Sequence, residues 1–230
     1  MQAQGKKALI TGASSGIGRT LSIELARAGY NICAVARNKE RLESLKKDLE
    51  EFSVQVELIE LDLSNERDFA QFETMSVDVL IHCAGIGGLS TIKEMDIEEW
   101  EKVQRVNVTA PVFLTKTLLP SMQSGSHIIF LGSIAAKQAF PSWGAYCSSK
   151  ASLASIAAVL REELREQGVK VTLLQPGATA TPFWEQVEGD WDQNRMVQTQ
   201  SIARLIVSIL SCDSQSSVDE LNILPAAGIL

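Results

Sequence analysis

An α/β fold on a mostly parallel, seven-stranded, doubly wound sheet is predicted, and three observations predict it. Seven short apolar runs alternate with helix-patterned segments almost from end to end. Several of these runs lack strict apolar–polar alternation, as strands covered on both faces do. The connections are short, the pattern of successive βαβ units. Right-handed crossovers then place a ligand at the carboxyl ends of the strands.

The expected strands are Ala8–Thr11, Ile32–Ala36, Val54–Glu60, Val77–Cys83, His127–Leu131, Val169–Leu174 and Glu220–Leu224. Helices are expected between them at Ile17–Ala28, Lys39–Glu51, Glu66–Glu73, Glu98–Leu118, Ala145–Glu166 and Ile202–Leu210. Gly29 ends the first helix and Gly168 the fifth, since glycine accepts the left-handed backbone that follows a C-cap. No repeat, low-complexity tract or linker divides the chain, so residues 1–230 are expected to form one domain. The least regular stretch, about 178–199, is long enough to be functional and is read as a substrate lid. The chain stops at Leu230, soon after the last strand, so no C-terminal extension is expected to close the pocket.

Composition narrows the function classes. The 28 acidic and 21 basic residues give a formal charge of −7, against the basic face that nucleic acid requires. No apolar run reaches membrane-spanning length, and the apolar segment between Met1 and Thr11 is too short for a secretory signal. A cytoplasmic location is therefore expected. Cys33, Cys83, Cys147 and Cys212 are scattered without a CxxC pair and read as reduced thiols. His82 and His127 adjoin or lie within strands, so no metal site is expected.

The chemistry begins at Tyr146 and Lys150, which share a helix face at i and i+4, thirteen positions after Ser133. A nearby ammonium favours the ionised phenol and would bring the tyrosine closer to neutral pH. That is a general acid–base device in need of a hydride carrier. The loop Thr11–Gly18 meets that need. It follows a strand, opens a helix, and offers backbone N–H groups and a positive dipole end to a pyrophosphate. Gly12 permits the tight turn, Gly16 the approach of phosphate and Gly18 the close packing of helix on strand. The second strand ends in Ala36-Arg37, without the carboxylate that would hold the 2′-hydroxyl of NAD. Arg37 is either a fork for the 2′-phosphate of NADP or a solvated residue at a strand end. Asp62 is placed to accept from an adenine amine or to cap the next helix, where Ser64 is the better cap.

These residues resemble the short-chain dehydrogenase/reductase family, over nearly the whole chain. The likeness is carried by TGASSGIG at Thr11–Gly18, Asp62, Ala84-Gly85, Asn107, Ser133, YCSSK at Tyr146–Lys150 and Pro176-Gly177, in that order. It implies a Rossmann-type domain and a catalytic set of Asn107, Ser133, Tyr146 and Lys150. Tyr146 would exchange a proton with the substrate oxygen and Ser133 would hydrogen-bond it. Lys150 would lower the Tyr146 pKa and hold the nicotinamide ribose, and Asn107 would anchor a water in a proton relay. NADP(H), preferred over NAD(H), would lie against Gly12, Ser14, Ser15, Gly16, Ile17, Gly18, Arg37, Asp62, Leu63, Ala84, Gly85, Tyr146, Lys150, Pro176, Gly177, Thr179 and Thr181. The substrate implied is a small carbonyl compound or alcohol, and the assembly a homodimer or homotetramer joined through the helices that carry Asn107 and Tyr146. The helix from Ala151 to Leu164 carries Leu153, Ile156, Ala157 and Leu160 for the core and for such a partner.

Two departures stand out. His82 and Cys83 replace the two asparagines that usually precede Ala-Gly, which puts local stability rather than catalysis in question. Thr179 stands where an aliphatic residue commonly meets the carboxamide. Taken singly, Ser133 could cap a helix, Asn107 bond a carbonyl and Tyr146 fill the core. Phe140, Trp143, Phe183, Trp184 and Trp191 suggest either an apolar substrate wall or the packing of the lid or a subunit contact. Glu185, Glu188, Asp190 and Asp192 make the lid acidic, which disfavours an anionic substrate. The alternative function is a dinucleotide-sensing binding protein without turnover, and an intact Ser133, Tyr146 and Lys150 speak against it.

Overall fold

A computed structural model describes residues 5–187 and 189–228; Met1, Glu188 and Leu230, which entered the reading above, lie outside the described residues. Seven strands form one sheet in the order β3-β2-β1-β4-β5-β6-β7. They are β1 Lys7–Thr11, β2 Asn31–Ala36, β3 Val56–Glu60, β4 Val79–His82, β5 His127–Leu131, β6 Lys170–Pro176 and β7 Glu220–Ile223. Every pairing is parallel. Between them run α1 Gly16–Arg27, α2 Lys39–Leu49, α3 Ile97–Gln104, α4 Ala110–Leu118, α5 Gly144–Leu164 and α6 Thr199–Leu210.

Alternate residues of each strand serve opposite faces. From β1, Ala8 and Ile10 pack with Leu21 and Leu25 of α1, Leu42 and Leu45 of α2, and Ile202 and Ile206 of α6. Leu9 faces the other way, into a core with Leu114 and Leu118 of α4 and Leu153 and Ala157 of α5. Both faces of the central strands are dry, which is why these strands read as apolar runs, while the edge strands β3 and β7 are partly exposed. The order in which strands are added to the sheet reverses between β1 and β4, and their last paired residues, Thr11 and His82, stand side by side. The crevice beyond that point is where a doubly wound sheet binds its ligand.

Several boundaries differ from expectation. The segment expected as one helix over Glu98–Leu118 is α3, a π-helical turn at Arg105–Thr109, and α4. Pro111 lacks the N–H that a regular helix would donate to the Asn107 carbonyl, and the Ala110 N–H reaches back five residues to the Arg105 carbonyl. The expected Glu66–Glu73 helix is a 3-10 helix at Glu66–Phe72, with Asn65 rather than Asp62 or Ser64 at its N-cap. The last helix begins at Thr199, three residues before Ile202. Its first residue is tied to α1 by a hydrogen bond from the Thr20 hydroxyl to Thr199 Oγ1 (2.9 Å).

His82 ties β4 to α4. Its Nε2 lies 2.9 Å from Thr115 Oγ1, and its ring stacks on Phe130 at 4.9 Å. Burial pushes its pKa down to about 3, so it is neutral. In the place of a strand-tying asparagine, this histidine supplies a different tether. His127 Nε2 likewise meets Thr172 Oγ1 at 2.7 Å. No helix among the described residues is long and apolar enough to cross a membrane.

Candidate active site

The carboxyl ends of β1, β2, β4, β5 and β6 open onto a cavity of about 620 Å³. The glycine loop and Arg37 line one part of it, and Ser133, Tyr146 and Lys150 line another. Residues far apart in sequence are thus gathered by the sheet's register. Of the expected cofactor residues, Gly12, Ser15, Gly16, Ile17, Gly18, Arg37, Ala84, Gly85, Tyr146, Lys150, Pro176, Gly177, Thr179 and Thr181 all line it. Ser14, Asp62 and Leu63 do not, and neither does Asn107 of the expected catalytic set.

The loop geometry gives each glycine a reason. Gly12 has φ +69°, and a Cβ there would lie 2.8 Å from the backbone of Ala84. A Cβ on Gly18 would collide with the Gly12 carbonyl, so the turn folds onto the first turn of its own helix. Gly16 has φ +52° and faces Thr181, whose methyl would be 3.2 Å from an added Cβ. Ser15 holds the N-cap of α1 in extended backbone, and its hydroxyl caps no N–H of the helix. Ser15 and the first residues of α1, Gly16 to Gly18, line the cavity, and the partial positive charge of a helix start suits a pyrophosphate there.

At the end of β2, Arg37 is exposed and lines the cavity. Arg41 does so as well, and sequence reasoning missed it. Asn38 caps α2 by accepting from the Arg41 N–H (2.8 Å), which sets Arg41 one helical turn after Arg37. The spacing of four and the intervening capping asparagine were the available signal. Arg19, by contrast, is engaged with Asp48 and Ser44. Asp62 accepts from both the backbone N–H and the hydroxyl of Ser64 at 2.9 Å. The Ser64 N–H is the main cause that holds its carboxyl below the usual range, and the Arg37 charge adds to it.

On the other wall, α5 carries Tyr146 and Lys150 one turn apart. Lys150 Nζ donates to the Leu131 carbonyl at 2.9 Å and stands 5.5 Å from the centre of the Tyr146 ring. Burial lowers the Lys150 pKa to about 8. Burial also raises the Tyr146 phenol to about 12, while the Ser133 hydroxyl beside it pulls the other way. The expected depression of Tyr146 by Lys150 is thus overridden: with the ammonium turned to a backbone carbonyl, removal from water dominates. Ser133 both meets Tyr146 and caps the 3-10 turn Ile134–Ala136, accepting from the Ala135 N–H at 3.1 Å.

Asn107 sits behind the cavity wall, buried in the π-turn. Its Oδ1 accepts from the Ile86 N–H, and its Nδ2 donates to the Ile86 carbonyl (both 2.9 Å) and to Ser149 Oγ (3.0 Å). It therefore stitches the loop after β4 to α5. Between them runs Gly85, where a Cβ would lie 3.4 Å from Asn107 Oδ1 and 3.5 Å from Lys150 Nζ. Cys83 also lines the cavity, with its thiol pushed up to about 12 by burial.

The stretch over 178–199 leaves β6, carries 3-10 turns at Pro182–Gln186 and Gln193–Arg195, and returns. A parallel bridge between Thr179 and Val197 pins its two ends together. The Thr179 hydroxyl bonds the Gly177 carbonyl (3.0 Å) and Thr181 Oγ1 bonds the Thr179 carbonyl (3.3 Å). Both threonines thus brace the start of this segment while lining the cavity.

The cavity thus gathers the glycine loop at the start of α1 with Ser133, Tyr146 and Lys150. The family model described as short chain dehydrogenase matches residues 6–191. An uncharacterized oxidoreductase of Staphylococcus saprophyticus is 30% identical over 234 residues, covering 98% of this chain and 99% of its own. Among solved structures, an alcohol dehydrogenase of the archaeon Thermococcus sibiricus complexed with 5-hydroxy-NADP superposes with a TM-score of 0.88 at 27% identity over 97% of each chain. The L-sorbose reductase of Gluconobacter frateurii, complexed with NADPH and L-sorbose, gives 0.88 and 27% over 98% of each. The chain belongs to the short-chain dehydrogenase/reductase family and is an oxidoreductase of it.

Proposed function

We propose that the protein moves hydride between NADP(H) and a carbonyl compound or secondary alcohol, with Tyr146 as general acid and base. The supporting observation is a single cavity with the glycine-lined start of α1 in one part and Ser133, Tyr146 and Lys150 in another. The bound nicotinamide supplies or accepts the hydride at the carbonyl carbon. In reduction, the Tyr146 phenol gives its proton to the carbonyl oxygen as charge develops there. The Ser133 hydroxyl donates a hydrogen bond to the same oxygen. Lys150, with a pKa near 8, is cationic at neutral pH and can restore the proton that Tyr146 has given up. Asn107 holds the loop after β4 against α5 and so positions Lys150. In oxidation each proton runs the other way.

NADP(H) rather than NAD(H) is supported by Arg37 in place of a carboxylate and by Arg41 one turn further on. Similar structures bound to NADPH or an NADP derivative point the same way. A homodimer or homotetramer joined through α4 and α5 is supported by Phe113 and Val159, large apolar side chains exposed on those helices. Unpaired cysteines are in keeping with a reducing cytoplasm.

The test is Tyr146→Phe. Turnover of NADPH with a responsive carbonyl should fall roughly 10²–10⁴-fold, the usual share of a general acid. NADPH binding, read from nicotinamide fluorescence, should survive. Unchanged turnover would remove Tyr146 from the mechanism.

A further inference from the structure

We infer that the substrate is a neutral carbonyl compound with a flat aromatic body, an aryl ketone, aryl aldehyde or quinone, held against a wall of aromatic rings beside Tyr146. The inference rests on the oxidoreductase reading above and adds the shape and charge of what reacts.

Trp143, Phe183 and Trp184 pack mutually, with ring centres 5.9, 6.1 and 5.9 Å apart. Tyr146 joins the cluster directly, 5.5 Å from Trp143 with its ring edge-on and 5.6 Å from Phe183. Trp191 lies 4.7 Å from Trp184, and Phe140 5.5 Å from Trp143. All of these rings line the cavity, and none is fully buried. A carbonyl oxygen within reach of the Tyr146 hydroxyl therefore turns one of its substituents onto aromatic surface. Offset or edge-on stacking on that surface favours another ring over an alkyl chain of equal size.

Two of the three indole N–H groups of the wall are already engaged. Trp184 Nε1 donates to the Thr179 carbonyl (2.9 Å) and Trp191 Nε1 to the Val187 carbonyl (3.2 Å). Apart from Trp143 Nε1, what the wall offers a ligand is apolar ring surface, so a polyhydroxylated substrate would lose most of its water shell there without replacement. Charge points the same way. Among the described residues of this segment, Glu185 is the charged one that lines the cavity, and exposed Asp190 and Asp192 follow it. A carboxylate or phosphate turned toward this segment would meet that acidic edge with no cation of the segment lining the cavity to pair with it.

A quaternary ammonium would suit an aromatic cage and an acidic rim, but this cluster is closed. Three centres about 6 Å apart place their midpoint about 3.5 Å from each (6/√3), too near for a trimethylammonium group to enter among the rings. Glycine backbone comes close to two of the rings. A Cβ on Gly87 would lie 3.2 Å from the Phe183 ring, and one on Gly189 2.9 Å from Trp191.

The experiment uses the full chain with NADPH and four ketones of similar carbon number: neutral aryl, neutral aliphatic, ketose, and aryl bearing a carboxylate. kcat/KM is read from NADPH loss, and binding separately from tryptophan fluorescence with NADP+ present. The neutral aryl ketone should lead the other three by at least tenfold in both readings. In Trp184→Ala its lead over the aliphatic ketone should shrink at least tenfold, and Trp184→Phe should retain most of it. A lead by the ketose, the carboxylate or the aliphatic ketone in the binding reading overturns the inference. So does an equal loss for all four in Trp184→Ala with the fold intact by circular dichroism. Binding of the aryl ketone without any NADPH loss would instead count against the hydride-transfer reading and leave the aromatic wall standing.

Discussion

The part of the cavity around α1 and the part around α5 are built by different means. Around α1 the lining is mostly glycine backbone: Gly12 and Gly16 at positive φ, Gly18 packed on the Gly12 carbonyl, and a helix start that no side chain caps. Around α5 it is side chains from separate segments, with Trp143 and Tyr146 meeting Phe183 and Trp184 across nearly forty residues. The difference teaches where variation is tolerated. A cradle of backbone groups suits a ligand that never changes, whereas a wall of side chains can be altered ring by ring while the hydride chemistry stays.

The sharpest way to break the comparison is Gly12→Ala. Its Cβ meets the Ala84 backbone at 2.8 Å in a left-handed conformation, so both stability and dinucleotide binding should suffer. A loss of about 1–3 kcal/mol in urea unfolding is expected, with NADPH binding abolished. A variant as stable and as tightly binding as the parent would show that the cradle is not built by backbone.

Next come the two guanidinium groups, the side-chain exception on the cofactor side. Removing both in Arg37→Ala/Arg41→Ala should weaken NADPH by roughly a hundredfold, about 1.4 kcal/mol for each arginine, with NADH little changed. Titration by nicotinamide fluorescence checks it. Equal losses for the two coenzymes would defeat the assignment of the 2′-phosphate.

The smallest effect concerns Lys150. Burial lowers its pKa, so its proton is present below about pH 8 and lost above it. Carbonyl reduction at saturating NADPH should therefore fall as pH rises through about 8, by roughly tenfold at one unit above. A rate independent of pH from 7 to 9.5 would take Lys150 out of the relay.

Much of this was legible in sequence because its determinants are local. The glycine loop, its helix start, Arg37 at a strand end and the Tyr146–Lys150 spacing all depend on neighbours within one or two helical turns. The π-turn at Arg105–Thr109 was not read, although Pro111 carries its cause four residues after Asn107. A single missing N–H looks the same whether a helix kinks, ends or widens. Arg41 was missed because only the direction in which α2 leaves β2 decides which of its exposed residues face the crevice. The pKa of Tyr146 went the wrong way for a related reason. Spacing brings an ammonium near a phenol, but Lys150 turns to the Leu131 carbonyl and burial prevails.

The amino-acid order alone determined the class of fold, most of the strand and helix sequence, the glycine loop and the pairing of Tyr146 with Lys150 on one helix face, since each follows from short-range periodicity, backbone freedom or helical spacing. The tertiary structure decided the rest: the sheet order that sets Thr11 beside His82, the histidine tether in place of an asparagine, and the aromatic wall. Those depend on packing between segments dozens of residues apart, and which ring meets which is a matter of the space the assembled sheet leaves.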